Sequence, residues 1–325
     1  MPHDPASAFR LDVAARSSVG SGRAARTENQ DNYLVIDTGG MASYLVGQVP
    51  MRRRVAGWPQ GHARVAVLDG MGGHGHGREA AEAVVAGLLY LPAFTQADAL
   101  AQALDALHGQ LQQAFACETG RRPGTTLTLL DIPPGQDALL YHVGDSRLYA
   151  IGPDTIAPLT VDHVPATGFA MDGALGADDW WEQVHGEHRP QISQAFMLGN
   201  AFANPALLAD ALFPLTPDNL PPWLAGLADR RVVALQPNVT YVLATDGFWS
   251  CPQAQRWMAR WPGFVRHCAD AHAAVAALFS ALETQPPRGM HPDNATAVVL
   301  RLVAPGSALA DETALPERLG DADHA

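Results

Sequence analysis

The chain has 325 residues, enough for one large domain or two small ones, and its 47% hydrophobic and 17% charged residues are typical of a globular protein with a sizeable core. Its 21 basic and 33 acidic residues give a net charge of −12, which argues against nucleic acid and anionic membranes as partners, because both attract clustered Lys and Arg. Cys117, Cys251 and Cys268 are too widely spaced for a zinc site or a disulfide framework, which favours a reducing cytoplasm. The longest apolar stretch, 83–91, is too short to span a bilayer, and the N-terminus does not have the pattern of a signal peptide.

The N-terminal part of the chain predicts strands followed by two helices. The period-2 and apolar patterns of strands occur at 11–15, 32–36 and 65–68, with an extended hairpin or insertion at 37–62. Apolar residues at helical spacing predict helices at 78–90 and 97–117. Thr95 and Asp98 have the spacing of a capping box at the start of the second helix.

The C-terminal part returns to strands, interrupted by one long irregular segment. Strands are predicted at 124–132, in two parts of 137–151, in two parts of 231–245 and at 297–303, with a helix at 271–282. The irregular segment, 160–230, is long enough to indicate a functional loop or lid. Residues 1–9 are expected to be frayed and the acidic segment 305–325 to be disordered. Strands in blocks, without strict alternation with helices, favour α+β layers of antiparallel sheets covered by helices.

Five aspartates share a position at a strand end or in a tight turn, beside Gly or Asn: Asp31, Asp69, Asp145, Asp246 and Asp293. An Asp-Gly pair alone is equally typical of a hairpin turn, but the repetition points to a common site. Hard divalent cations such as Mg²⁺ and Mn²⁺ prefer carboxylate, carbonyl and water oxygens. Two such ions can activate water for attack on phosphorus, and an arginine such as Arg26 would hold the phosphate.

Six short motifs occur in order along the chain: RTENQD (26–31), LDGMGGH (68–74), GTT (124–126), GDSR (144–147), TDG (245–247) and DNAT (293–296). Over about residues 10–303, they resemble the PP2C (PPM) family of metal-dependent Ser/Thr phosphatases, bacterial type. The resemblance implies an α+β fold, a four-layer αββα sandwich in which two antiparallel β-sheets are flanked by helix pairs. It also implies a phosphatase domain at 10–304 with an irregular flap-like insert at about 163–230.

The resemblance assigns roles to the acids residue by residue. Asp69 would bridge two metal ions, Mn²⁺ or Mg²⁺, and the Gly70 carbonyl would bind one of them. Asp246 and Asp293 would complete the shell of the other ion, and Asp31 would orient a metal-bound water. The implied metal ligands are therefore Asp31, Asp69, Gly70, Asp246 and Asp293, with Asp145 for a third, weakly bound ion.

The reaction that the resemblance implies is the hydrolysis of phosphoserine and phosphothreonine in proteins. A hydroxide shared by the two metals would attack the phosphoester directly, with no covalent intermediate. Arg26 would bind the substrate phosphate, so the implied catalytic residues are Arg26, Asp69 and Asp246. The implied partners are phosphorylated proteins, substrates of a cognate Ser/Thr kinase in the cytoplasm, with no nucleic acid and no membrane insertion.

The chain departs from the family pattern at three places. Gln30 stands where many members have Glu, so a water-mediated metal contact loses its charge. Met71 stands where eukaryotic members carry a His proposed as general acid, as it commonly does in bacterial members. The insert at about 163–230 is unusual in length, and substrate preference is expected to depend on it.

Two other functions stay open. A pseudophosphatase or regulatory binding module would keep the fold and use the insert to engage a partner, although the intact acids argue against it. A two-metal phosphoesterase would act on small molecules instead. Several other residues have a structural interpretation that is favoured over a functional one. His74 and His76 are interpreted as loop residues in preference to metal ligands, Ser146 as support for its turn in preference to a nucleophile, and Asp162 as a turn acid in preference to a third-metal or water role. Trp180 and Trp181 are interpreted as packing within the insert in preference to binding a partner.

Overall fold

Two stacked antiparallel sheets form the centre of the protein. The computed structural model describes residues 10–20, 26–71, 76–116, 122–187, 189 and 191–304. Within these ranges the larger sheet has seven strands and the smaller sheet has five. The predictions for 1–9, for 305–325 and for His74 fall outside the described residues.

The strands follow the predicted blocks. In chain order they are β1 (Arg10–Ser18), β2 (Asn32–Ile36), β3 (Met41–Val46), β4 (Val49–Arg54), β5 (Ala63–Leu68), β6 (Gly70–Met71), β7 (Gly124–Thr125), β8 (Leu127–Ile132), β9 (Ala138–Val143), β10 (Arg147–Ile151), β11 (Ile156–Pro158), β12 (Gln194–Ala195), β13 (Gly199–Asn200), β14 (Arg230–Val233), β15 (Thr240–Ala244) and β16 (Ala295–Val303). The larger sheet has the order β14-β9-β8-β5-β2-β3-β4 and the smaller sheet the order β1-β16-β15-β10-β11. The short strands β6 and β7 pair with each other, as do β12 and β13. The hairpin predicted between β2 and β5 is confirmed as β3 and β4.

The central strand β5 shows why the two sheets stack. All of its residues are buried. Val65 and Val67 pack in one core with Leu243 of the smaller sheet, whereas Ala66 and Leu68 point into a different core on the opposite face. Because side chains alternate between the faces of a strand, a strand covered on both faces is apolar at nearly every position. Each fully buried Val or Leu stabilises the fold by about 1.5–3 kcal/mol relative to an exposed one.

Helices cover the outer face of each sheet. In chain order the helices are α1 (Gly77–Tyr90), α2 (Ala97–Ala114), α3 (Pro165–Met171), α4 (Ala177–Trp181), α5 (Ala254–Met258), α6 (Trp261–Val265) and α7 (Ala271–Thr284), of which α3 and α4 lie in the segment between β11 and β14 and not on a sheet face. α1 and α2 lie on the larger sheet, since Val84 and Leu104 share a core with Leu129 of β8. α5, α6 and α7 lie on the smaller sheet, where Trp261 and Leu278 pack in one core. The predicted four-layer αββα sandwich is confirmed, with three helices instead of a pair on the smaller sheet.

The predicted start of α2 is confirmed, but its predicted capping box is wrong. α2 begins at Ala97, but the residue before it is Gln96, and no side chain accepts a hydrogen bond from the first turn. The capping box of Thr95 and Asp98 is therefore not formed. α7 has the side-chain cap that α2 does not have, since Asp270 Oδ1 accepts a hydrogen bond from the Ala273 N–H at 2.7 Å.

The segment between β11 and β14 has a small hydrophobic core of its own. Trp180 is buried and packs there with Val161 and Leu215, and its Nε1 donates to Thr167 Oγ1 at 3.1 Å. Trp181 is partly exposed. The predicted packing of the tryptophan pair is thus confirmed for Trp180.

A buried ion pair ties this segment to the sandwich. Arg147 of β10 donates from Nε and Nη2 to the carboxylate of Asp162, at 2.9 and 2.7 Å, and from Nη2 to the Val184 carbonyl at 2.8 Å. Asp162 therefore anchors the segment and is not a simple turn acid. None of the helices in the part of the chain that the structure describes combines the length and the apolar character that a bilayer crossing requires.

Candidate functional site

A cavity of about 510 Å³ opens where the ends of several strands from both sheets converge. Its walls include most of the residues that the sequence singled out: Arg26, Asp69, Gly70, Asp145, Asp246 and Asp293, together with Thr27, Glu28, Gln30, Met71, Ile192 and Asn294. Asp69 follows β5 and Asp246 follows β15, whereas Asp145 and Asp293 precede β10 and β16. The fold thus brings four acids from distant parts of the chain to one cavity. The fifth, Asp31, is not part of the cavity wall and is buried next to this group.

Backbone and hydroxyl contacts fix Asp69 between two strands. Its N–H donates to Thr126 Oγ1 at 2.9 Å, and its carbonyl accepts from the Thr126 N–H at 2.9 Å. Thr126 Oγ1 also lies 2.6 Å from Ser146 Oγ, next to Asp145. Thr126 therefore links the loops that carry two of the acids, and Ser146 has the predicted supporting role.

Two glycines of the site are required by close backbone packing. A Cβ atom on Gly70 would lie 2.3 Å from the Gly77 carbonyl oxygen and 2.4 Å from the Gln30 carbonyl oxygen. A Cβ atom on Gly247 would lie 1.9 Å from the Asn294 carbonyl oxygen. Side chains do not approach backbone atoms this closely, so the Asp-Gly pairs allow loops from different parts of the chain to touch.

Asp31 is buried with one carboxylate oxygen unsatisfied. Its Oδ2 accepts from Thr245 Oγ1 at 2.8 Å, but its Oδ1 has no hydrogen-bond partner among the described residues. The pKa of Asp31 is raised to about 7, mainly by burial and also by the charges of Asp246 and Asp293, against the hydrogen bond from Thr245. A buried carboxylate oxygen without a donor needs either a proton or a cation nearby.

The acids of the cavity destabilise one another's charge. Burial raises the pKa of Asp69 well above its usual value, and Asp31, Asp246 and Asp145 add to the effect. Burial and the charge of Asp246 also raise the pKa of Asp293, against the opposing effect of Arg26. Bound divalent cations would reverse this repulsion, because they are the largest charges in such a site.

The donor set fits a hard divalent cation. It consists of carboxylates, with the backbone carbonyl of Gly70 beside them, and oxygen donors of this kind suit Mg²⁺ and Mn²⁺. Among the described residues, no group of three or more His, Cys, Asp or Glu side chains is close enough to hold an ion by itself. Water and carbonyl oxygens would therefore have to complete the coordination, as is usual for Mg²⁺.

Arg26 lies at the rim of the cavity. Its Nη2 donates to Asp293 Oδ2 at 3.0 Å, and its side chain is largely exposed. An exposed ion pair contributes about 0–1 kcal/mol, so the guanidinium can exchange this carboxylate for another anion at little cost.

Two supporting residues of the site, Asn294 and Glu28, were not predicted from the sequence. Asn294 accepts from the Gln30 N–H at 2.8 Å and donates to the Glu28 carbonyl at 3.0 Å, which joins the first motif to the last. Glu28 accepts from Arg78 Nε at 2.6 Å, and this hydrogen bond lowers the pKa of Glu28. Glu28 lies within the motif RTENQD and Asn294 within the motif DNAT, next to residues with an assigned role. Their place inside these motifs could have identified them from the sequence.

The departures from the family pattern also lie at this site. Gln30 and Met71 line the cavity. His76 faces Glu79 at an exposed position, with 2.7 Å between His76 Nδ1 and Glu79 Oε2. This contact agrees with its interpretation as a loop residue.

The chain is similar to known protein phosphatases in both sequence and structure. No protein-family model matches the chain. The chain is 34% identical over 120 residues to the serine/threonine protein phosphatase PstP of Mycobacterium tuberculosis, and 34% identical over 126 residues to the protein phosphatase PhpP of Streptococcus pneumoniae. These matches cover 35% and 37% of this chain, and 23% of PstP and 51% of PhpP. The chain therefore spans about half or less of the length of the curated relatives it matches.

The structural similarity extends over nearly the whole chain. The crystal structure of the catalytic domain of PstP in complex with two manganese ions matches with a TM-score of 0.53 and 22% sequence identity, covering 91% of this chain and 99% of that one. At this low sequence identity, the structural similarity establishes the fold alone. The chain has the fold of the PPM-type phosphatases.

Proposed function

We propose that this chain is a metal-dependent protein serine/threonine phosphatase of the bacterial PPM type, with its sequence similarity to PstP and PhpP and its fold similarity to PstP as the premise. The observation that carries the proposal is one cavity, at the end of a sandwich of this fold, that contains Arg26 and four aspartates from distant motifs. Its substrates are phosphorylated Ser and Thr residues of proteins, supplied by a cognate Ser/Thr kinase.

The metal ligands in this proposal follow from the donor set. Asp69, Asp246 and Asp293, with the Gly70 carbonyl, would hold two Mn²⁺ or Mg²⁺ ions, and Asp145 would contribute to a third, weaker site. The ions, when bound, supply a water-derived nucleophile at neutral pH and neutralise the charge of the phosphate. Support comes from the mutual repulsion of these carboxylates and from the buried, unsatisfied Oδ1 of Asp31.

Side chains in the cavity wall and buried next to it have the remaining roles. Arg26 releases its ion pair with Asp293 and binds the phosphate through a bidentate hydrogen bond. The exposed position of Arg26 allows this exchange. Asp31, held by Thr245, orients the water that attacks phosphorus. Ser146 is buried and hydrogen-bonded to Thr126, so it is not the nucleophile, and the proposed reaction has no covalent intermediate.

We also propose that the protein works in the cytoplasm. Cys251 and Cys268 are free cysteines, as expected in a reducing compartment. The net charge of −12 is compatible with protein substrates and unfavourable for nucleic acid.

The first test is metal-dependent hydrolysis of a phosphothreonine peptide. Activity is expected with Mn²⁺ or Mg²⁺ and is expected to disappear when EDTA removes the metal. Phosphate release and Mn²⁺ binding are measured on the same sample. Full turnover without a divalent metal would contradict the mechanism, whereas Mn²⁺ binding without hydrolysis of any phosphopeptide would favour the regulatory binding module.

Removing the Thr126 hydroxyl should weaken metal binding. The Thr126→Val substitution deletes the acceptor for the Asp69 N–H and the contact with Ser146. Loss of such a supporting hydrogen bond typically lowers metal affinity by about 10–100-fold. Calorimetric titration with Mn²⁺ measures the effect. Thr126→Ser, which keeps the hydroxyl, is the matched control and should bind Mn²⁺ nearly as well as the wild type; equal affinity for Thr126→Val would refute the role.

A further inference from the structure

A second cavity lies beside the first one. Its volume is about 150 Å³, and it is formed by the segment between β11 and β14. Val164, Pro165, Ala166 and Phe169, on and just before α3, provide an apolar wall. Val184, in the π-helical turn Glu182–Gly186, lies across from it. π-Helical turns are rare and occur often at functional sites.

The two cavities adjoin each other. Asp145 lines both of them. Gln191 lines the second cavity, and the next residue, Ile192, lines the first. A chain bound with its phosphate in the first cavity therefore has the second cavity within reach of a neighbouring residue.

The apolar wall is held in place by the core of the insert. Ala166 is buried and belongs to the same hydrophobic cluster as Trp180 and Leu224, and the Thr167 hydroxyl accepts from Trp180 Nε1. The cavity is thus preformed, as small ligand sites usually are.

The negative charge of Asp162 in the second cavity is compensated by Arg147. Asp162 lines the cavity, but its carboxylate accepts three hydrogen bonds from the buried guanidinium of Arg147. Three further polar side chains of the wall, Gln183, Arg189 and Gln191, are exposed, where they can contact a peptide backbone, whereas the buried Asp145 is shared with the first cavity. An apolar occupant therefore meets apolar groups at the wall that α3 provides and leaves the three exposed polar groups in water.

We propose that this insert cavity binds an apolar side chain of the substrate, one that lies next to the phosphorylated Ser or Thr. The inference rests on the proposed phosphatase function and adds a preference to it. A cavity of about this volume accommodates a group as large as benzene, so a Leu, Met or Phe side chain fits. The insert then selects substrates by the residue that flanks the phosphate.

The experiment compares phosphothreonine peptides with p-nitrophenyl phosphate. One peptide series places Leu at each position near the phosphothreonine in turn, with Ala at all others, and the small ester reports on the first cavity alone. With Mn²⁺, Leu at one position is expected to raise kcat/KM by about tenfold over the all-Ala peptide, which is the scale of discrimination in apolar pockets.

Two substitutions of Phe169 connect the preference to the cavity. Phe169 is about half exposed, so its replacement should leave the fold intact. Phe169→Ala removes part of the wall and should reduce the preference for Leu to about twofold or less. Phe169→Asp should abolish it, because the carboxylate is unfavourable beside an apolar side chain. Neither should change the rate with p-nitrophenyl phosphate.

Leu207→Ala is the matched control. Leu207 is an exposed apolar residue of the same segment that does not line the cavity, and its replacement should leave the preference unchanged. Normal hydrolysis of the small ester with no preference for Leu at any position would overturn the cavity proposal alone, as would a preference that survives Phe169→Asp. No hydrolysis of the small ester or of any peptide with Mn²⁺ would overturn the proposed function and this inference with it.

Discussion

Replacing Asp69 by Asn is expected to lower Mn²⁺-dependent hydrolysis of a phosphothreonine peptide by about a thousandfold. Metal ions contribute several kcal/mol to transition-state stabilisation in such sites, and about 1.4 kcal/mol corresponds to a factor of ten in rate. Asp69 lies among the other acids of the site: burial raises its pKa most, and the charges of Asp31, Asp246 and Asp145 raise it further. Asp246→Asn should have a similar effect.

The same variant separates loss of a ligand from loss of the fold. Without metal, Asp69→Asn should unfold at a higher temperature than the wild type. The raised pKa of Asp69 means that the folded state disfavours its charge, and at neutral pH the neutral amide removes that cost. Mn²⁺ should raise the unfolding temperature of the wild type through binding to the folded state and should raise that of the variant much less.

Asp154→Asn is the matched control for these measurements. Asp154 is highly exposed and pairs with Arg266 on the surface. Its replacement should change neither turnover nor the response of the unfolding temperature to Mn²⁺. Wild-type turnover in Asp69→Asn, with Mn²⁺ present, would rule out Asp69 as a metal ligand.

Replacing Arg147 by Met is expected to lower the free energy of unfolding by about 3–5 kcal/mol, the usual cost of removing one partner from a buried ion pair. Arg147 and Asp162 are almost fully buried, and the guanidinium also lies 4.7 Å from the ring centroid of Trp249. Burial by itself would lower the pKa of Arg147, but Asp162 and Tyr149 together outweigh it and raise that pKa. Denaturant unfolding measures the loss.

A second substitution tests the cause of this loss. In the double variant Arg147→Met/Asp162→Leu the buried charge is gone, and most of the stability should return, because buried ion pairs are often replaced by apolar groups at little cost. Arg266→Met, which removes an exposed pair with Asp154, should change stability by about 1 kcal/mol or less. If Arg147→Met lowers the free energy of unfolding no more than Arg266→Met does, the ion pair of Arg147 and Asp162 contributes little to stability.

Much of the fold could be predicted from the sequence because the patterns that specify it are local. The apolar runs at β2 and β5, and the helical spacing over α1 and α2, depend on residues a few positions apart. The order of the six motifs then implied the cavity, since each motif lies at the end of a strand. The capping of helix ends was less predictable, because the capping box expected at Thr95 is not formed.

Buried polar contacts were beyond the sequence because their partners are far apart in the chain. Arg64 interrupts an apolar pattern and reads as a surface residue, yet it is buried in β5. Its guanidinium donates to Asp131, 67 positions away, and to the Leu88 and Pro92 carbonyls near the end of α1. A buried guanidinium is stable only when a carboxylate and carbonyl oxygens accept its hydrogen bonds. The sequence does not show which distant residues will supply these acceptors.

The sequence by itself determined the architecture and the set of acids, because strand periodicity and short motifs are read from neighbouring residues. Only the tertiary structure decided how those acids are held and what surrounds them. The link from Asp69 to Thr126 spans 57 positions, and the link from Gln30 to Asn294 spans 264. The cavity in the insert likewise depends on the approach of α3 to the π-helical turn at Val184. Such contacts are set by the packing of whole layers, which no local pattern encodes.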